Sequence, residues 1–406
     1  MKIGIIGAGA SGMFAAITAA RQGADVVLIE KKDRIGKKIL ATGNGKCNFT
    51  NTIMGEKDYH SKTENIFEKY IQRFDNEQVL SFFRQQGMLI KDRNGYCYPR
   101  SEQAATVLDI LRCCLKAKGI RIFTESCPIS IQAKKKGFEV LLDNKKKLCF
   151  DKLILACGSL AGEKQKDDYN GYTYAKMLGH SIVPVVPALV QVRAKGKEFK
   201  SIAGVRCEAK IQLFTGKKKI AEEQGELQLT DYGISGIPVF QLSRHVAYGV
   251  YEKKSMYAII DFLPEYDEEQ WKTIVSEKWK HADKDISVEE FFTGFLNKKL
   301  NMMFLKSAGL KPEGFLREYS WEKIWKACSL MKQWKIELEG TNPYENAQVC
   351  AGGVSLEEVT AQLESKLVKG LFFAGELLDV DGRCGGYNLQ WAWTSGYLAG
   401  KYASLH

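Results

Sequence analysis

Residues 2–7 read KIGIIG. They run through GAGASG to Gly12, then MFAAITAARQG to Gly23, then DVVLIE to Glu30. A short apolar run, glycines in G-x-G-x-x-G spacing, a small-residue helix and a second apolar run ending on an acid make a complete β-α-β unit. Gly7 permits the tight turn out of the first strand. Gly9 lets a pyrophosphate approach the backbone, and Gly12 lets the helix pack on the sheet. Ala10 and Ser11 open that helix, whose free N–H groups face phosphate. Glu30 stands 18 residues after Gly12 (30 − 12), where a carboxylate accepts from both ribose hydroxyls and repels a 2′-phosphate. The expected nucleotide is therefore FAD or NAD rather than NADP.

Three later segments favour FAD. EKKDRIGKKILATGNGKCNFTN (30–51) has no helical or strand period and is rich in donors. It offers Lys31, Lys38, Thr42, Gly43, Asn44, Gly45, Cys47 and Asn48 to a long phosphate-bearing ligand. KLILACGS (152–159) is a strand ending in the small turn Ala156, Cys157, Gly158. GLFFAGELLDVDG (370–382) is another, running into Gly375 and Glu376, with Asp379 beyond. Gly385 and Gly386 then precede Tyr387, Asn388 and Leu389 at a helix start. The small residues of that helix, Ala392, Ser395, Gly396, Ala399 and Gly400, are expected to face a sheet. These segments resemble those of two-dinucleotide-binding flavoproteins, in which strand turns pass under the FAD and the final helix points its N-terminus at the flavin N1–C2=O edge. No second G-x-G-x-x-G exists, so NAD(P)H as donor would dock transiently over the flavin.

A chain of 406 residues exceeds one ordinary domain and buries a large core without staples. The 11 cysteines contain no C-x-x-C, and the five histidines are dispersed. Reduced thiols in a cytoplasmic protein are expected, with no metal site. No apolar stretch is long enough to span a membrane. The net charge of +11 suits anionic partners, RNA among them. The lysine runs Lys134–Lys136, Lys145–Lys147 and Lys217–Lys219 read as hairpin tips. Residues 189–266 read as a β-rich inserted domain, and 267–334 as a helical one with N-caps at Asp267, Ser287 and Ser320. An FAD-binding domain is expected from 1–188 and 335–406, with KIELEG (335–340) as the return strand.

GAGASGMFAA, GKKILATGNGKCNFTN, LTDYGISGIPVF, AQVCAGGVSLEEV and FFAGELLDVDGRCGGYNLQWAWTSG together resemble the flavoprotein family that includes BaiN, YhiN and aminoacetone oxidase. The resemblance covers essentially the whole chain. It implies an α/β fold: a Rossmann-type FAD-binding domain, an inserted β-barrel-like domain and a small helical domain. It departs at Cys350, often Thr, and at Asp231, often His; both are expected to bear on what the inserted domain faces.

With a flavin bound, Cys47 and Tyr387 are the candidate proton donors, because both stand in loops expected to border the ring. Glu376 and Asp379 are expected to hold ribitol hydroxyls, and Lys46 a phosphate or carboxylate. No Ser-His-Asp arrangement is legible. The leading expectation is NAD(P)H-dependent reduction of a conjugated C=C bond in a small enone, which the resemblance implies is steroid-like. The same resemblance implies two alternatives: reduction of uridine to dihydrouridine in ribosomal RNA, and amine oxidation with release of peroxide. A flavin-binding protein without activity is the fourth reading.

Overall fold

The computed structural model describes residues 1–163 and 168–405; the Asn44 side chain lies outside what is described. The chain divides into two compact units, Met1–Val186 with Gln348–His406, and Pro187–Ala347.

The first unit is built on a five-stranded parallel sheet. Its strands are β1 (Lys2–Ile6), β2 (Asp25–Ile29), β3 (Arg121–Phe123), β4 (Lys152–Leu155) and β5 (Leu371–Phe373), in the order β5-β4-β1-β2-β3. The central strands are apolar on both faces, as a covered parallel sheet requires. Alternate residues serve two cores. Ile3, Ile5, Ile154 and Phe372 join the one that contains Met13, Phe14 and Trp393. Ile6, Leu153, Leu155, Leu371 and Phe373 join the one that contains Phe138, Val140 and Phe150. Helices α1 (Ala10–Arg21) and α2 (Tyr387–Ala403) therefore cover one face. The antiparallel meander Pro128–Lys134, Gly137–Leu142, Lys147–Phe150 covers the other, with two lysine runs at its turns.

Two of the small residues of α2, Gly396 and Gly400, face a helix rather than the expected sheet, while Ser395 accepts from Gly375 N in the turn after β5. A Cβ on Gly396 would overlap the Ser11 carbonyl, and one on Gly400 would overlap the backbone of Ala15. Glycines four apart give α2 a flat stripe, and α1 lies directly on it.

In the second unit six strands close into a barrel: Val192–Ala194, Gly233–Ser235, Lys218–Thr230, Arg206–Thr215, Met256–Asp261 and Trp334–Thr341. The expected return strand 335–340 is thus the barrel's closing strand, paired with Met256–Asp261 on one side and Val192–Ala194 on the other. Helices Glu268–His281, Val288–Phe292, Lys298–Ser307 and Trp321–Leu330 share one core with the barrel. Asp267 and Ser287 cap their helices in reciprocal boxes with Gln270 and Glu290. Ser320 occupies its cap position without capping the backbone; its hydroxyl is bonded to Glu322 instead.

Candidate functional site

Three turns leave the C-terminal ends of β1, β4 and β5, and they meet. Gly7 stands at φ 101, where a Cβ would overlap the Ala156 carbonyl and lie 2.9 Å from Cys157 Cα. A Cβ on Gly12 would overlap the Gly7 carbonyl, and one on Gly375, at φ 76, would overlap Ser11 Oγ. Residues 7, 12, 156 and 375 are therefore close-packed backbone, and glycine is required where they touch. Gly9 differs: a Cβ there would meet nothing within 4 Å. It is the N-cap of α1, which no side chain caps. An open approach to uncapped N–H groups is what a pyrophosphate needs. Gly45 and Gly158 also have open space at the Cβ position.

Glu30 directly follows β2, with both carboxylate oxygens fixed. Oε2 accepts from Ala8 N at 2.8 Å and Oε1 from Lys32 N at 2.9 Å. Each oxygen keeps a lone pair for a ribose hydroxyl. Lys31 follows directly. In the next loop Lys38 Nζ pairs with Glu376 Oε2 at 2.6 Å, and Ser159 Oγ donates to the same oxygen at 2.9 Å. Cys350 is hydrogen-bonded to Ser159, and burial pushes its thiol up to about 11. Cys350 lies in the first unit, beside Glu376, and Asp231 in an exposed turn of the barrel. Thr42 donates to Ile39 O, and Gly43 and Gly45 take left-handed turns. Lys46 meets a carboxylate, that of Glu102 at 3.7 Å.

The start of α2 closes the site. Gly385 (φ 126) and Gly386 (φ 95) lead into it, and no side chain caps it. Asn388 braces the approach, accepting from Gly382 N and donating to the carbonyls of Gly382 and Arg383. Asn51 holds Gly385 O, Trp391 Nε1 holds Gly375 O, and Gln390 is bonded to Thr50. These three braces were missed from the sequence; their signal is polar and indole groups standing in an otherwise small, apolar helix and at a strand end. Leu389 packs against the core from the first turn. Asp379 is buried and accepts from Lys62 N and Ser61 Oγ.

Neither expected proton donor presents its proton to open space. Cys47 is fully buried at φ 54 and hydrogen-bonded to Thr42, and burial raises its thiol to about 11. Tyr387 donates to Ile53 O at 3.0 Å, and burial raises its phenol to about 12. Asn48 Oδ1, by contrast, is buried without a hydrogen-bond partner, close to where a Cβ on Gly386 would stand. An orphaned acceptor, an open Gly9 and two uncapped helix starts fit a dinucleotide with a hydrogen-bonding ring.

A Ser–His–Glu constellation, unannounced by the sequence, lies in the same unit. His180 Nε2 is 2.8 Å from Ser365 Oγ, and Nδ1 is 3.1 Å from Glu358 Oε2. Ser365 Oγ accepts from Leu367 N and Val368 N, so its proton goes to Nε2, and Nδ1–H donates to the carboxylate. Ser365 is buried and fully used, which makes the group a brace rather than a nucleophile.

The HI0933-like protein Rossmann domain model matches residues 1–402. A 3-dehydro-bile acid delta(4,6)-reductase of Clostridium scindens is 45% identical over 99% of this chain and 99% of its own. A ribosomal RNA dihydrouridine synthase of Escherichia coli is 28% identical over 98% of this chain and 96% of its own. The solved 3-ketosteroid-delta4-(5alpha)-dehydrogenase of Rhodococcus jostii RHA1 aligns at TM-score 0.49 and 14% identity, covering 100% of this chain and 96% of that one. No helix among the described residues is long and apolar enough to cross a membrane. With its fold, its glycine turns and its full-length family match, the chain belongs to the HI0933-like Rossmann family and is an FAD-dependent oxidoreductase.

Proposed function

We propose that this chain uses NAD(P)H to reduce a conjugated C=C bond in a small enone of the dehydro-bile-acid kind. The observation that carries the reading is the 45% identity, along essentially the full length of both chains, to a reductase of that substrate. FAD, when bound, would supply the two-electron hydride chemistry that links an NAD(P)H donor to the β carbon of the enone.

The chain's own residues supply the rest. Gly9 admits the pyrophosphate, Gly7 and Gly12 close-pack the turn that presents it, and Glu30 takes the ribose hydroxyls. Gly43, Gly45, Ala156, Cys157 and Gly158 supply the close backbone walls. Glu376, held by Lys38 and Ser159, faces the ribitol side. The uncapped start of α2 favours negative charge placed at it. Tyr387 keeps its proton at neutral pH and gives it to the α carbon once its bond to Ile53 yields. Cys47 holds its loop in shape.

The test is anaerobic. Bleaching of the bound flavin by NADH or NADPH, then recovery of its colour on adding a 3-oxo-Δ4,6 bile acid, is the expected result. Bleached flavin that uridine-containing ribosomal RNA restores and the enone does not would overturn the reading in favour of a second one. That alternative is supported by the 28% relative and the net charge of +11. Flavin that neither nucleotide bleaches, but an amine does, would overturn both.

A further inference from the structure

Three cations converge on one carboxylate beside the loop that carries Cys47. Glu102 Oε1 receives Lys91 Nζ at 2.6 Å and the Arg93 guanidinium, and Oε2 faces Lys46 Nζ at 3.7 Å. The charges do not cancel: three cations against one carboxylate leave +2 (3 − 1). Nor are they sealed off. The side chains of Lys91, Arg93 and Lys46 are 33%, 47% and 53% exposed. Glu102 holds this position at φ 54, a left-handed backbone that a β-carbon-bearing residue adopts only when its surroundings fix it.

The cluster is joined to the flavin site by a small antiparallel sheet. Ile90–Arg93 pairs with Tyr96–Pro99, which pairs with Thr50–Asn51 directly after the Cys47 loop. Tyr96, half exposed, stands against Gly385 at the start of α2, 2.6 Å from where a Cβ on that glycine would lie. Tyr98 carries the Arg93 guanidinium 5.8 Å from its ring centre. Two tyrosine rings thus lie between the start of α2 and a patch of unneutralised positive charge. An apolar, flat molecule with one anionic end matches that sequence of surfaces.

We infer that Lys46, Lys91 and Arg93 form the subsite for the anionic tail of the substrate, with Tyr96 and Tyr98 bordering its ring system. The inference rests on the enone reading above and adds the end of the molecule that the flavin does not touch. Glu102 holds the cations in place and competes with the ligand for them. A carboxylate tail and the 2′-phosphate of NADPH share this chemistry, and the experiment separates them.

The holoenzyme is assayed with a dehydro-bile acid and with its neutral methyl ester, and the ratio of their kcat/KM values gives the selectivity for the anion. Lys91→Gln with Arg93→Gln is expected to lower that selectivity at least ten-fold. Glu102→Gln, which releases the cations, is expected to raise it, so the inference has a test in each direction even if one variant folds poorly. Lys134→Gln, on a distant hairpin tip, serves as the control. An unchanged selectivity, or equal loss for acid and ester, would overturn the inference. So would a KM increase confined to NADPH and absent for NADH, which would assign the cluster to the donor's phosphate. Flavin that neither NADH nor NADPH bleaches, or a wild-type enzyme that reduces neither acid nor ester, counts instead against the underlying enone reading.

Discussion

At Gly7 and Gly9 the same amino acid is required for opposite reasons. Alanine at Gly7 would place its methyl in the Ala156 carbonyl at a left-handed φ, and strand β4 cannot retreat without breaking its ladder. We expect Gly7→Ala to destabilise even the apoprotein by on the order of 3 kcal/mol, read as a lower Tm. The methyl of alanine at Gly9 would meet nothing, so the apoprotein should keep its Tm within about 0.5 kcal/mol, while FAD affinity, read by titration, falls. If both variants lose FAD and neither loses Tm, the close-packing argument fails. Tyr387 makes a different case. Its phenol is raised to about 12 from 10.0 by burial. The proton is therefore retained in the folded protein as pH passes 10, where the unfolded chain releases it, and that contribution to stability is lost as pH rises above 10. We expect kcat not to fall between pH 9 and pH 10.5, the range in which an ordinary phenol would ionise. Tyr387→Phe should lower kcat by about 100-fold or more, with flavin bleaching by NADH unchanged. The glycines and Glu30 were legible because their spacing alone states a geometry. The burial of Cys47 and the Tyr387–Ile53 bond were not, since both depend on strand pairings far apart in the chain.

Among the elements, α1 and α2 show what a periodic pattern conveys and what it omits. Small residues at helical spacing announced a flat face on α2; nothing local said that a helix, not the sheet, would occupy it. Leucine at Gly400 would drive into the Ala15 backbone, so Gly400→Leu is expected to cost about 3 kcal/mol or more and to reduce soluble yield sharply. Gly309→Ala, at a φ of 73 with open space at the Cβ position, should cost only the left-handed strain, about 1 kcal/mol. The His180 brace has a pH signature. Burial lowers its pKa from 6.5, so the unfolded chain takes a proton below that value while the folded chain does not. Stability is therefore present above pH 6.5 and is lost as pH falls, by up to about 1.4 kcal/mol per unit from this group. Calorimetry at pH 7.5 and 5.5 should show a Tm drop that His180→Gln diminishes. An undiminished drop would assign the acid sensitivity elsewhere.

Across the whole molecule, the two units have separate cores, and each is closed. The barrel seals because Trp334–Thr341 reaches back to Val192–Ala194. That pairing spans the helical insertion and left no local mark, which is why the strand read as part of the other domain. The residues proposed to hold FAD all lie in the first unit. Added FAD is therefore expected to raise only that unit's unfolding transition, by about 2.7 kcal/mol at a hundred times Kd, and to leave the barrel's transition where it was. Fragment 187–347 should give that second transition by itself in circular dichroism; a fragment without cooperative unfolding would reject the separate-core argument.

The parallel sheet also sets an order in time. Strand β4 ends at Leu155 and its outer neighbour β5 begins at Leu371, 216 positions later (371 − 155). During synthesis, the ribosome must make the entire barrel unit while β4 shows a bare, apolar edge of unpaired N–H and C=O groups. The nucleotide cannot shelter the newborn chain in that interval, because Gly375 and the start of α2 have not yet been translated. The chain has to reach α2 before the proposed nucleotide contacts are complete, so the edge of β4 stands bare before FAD can be held.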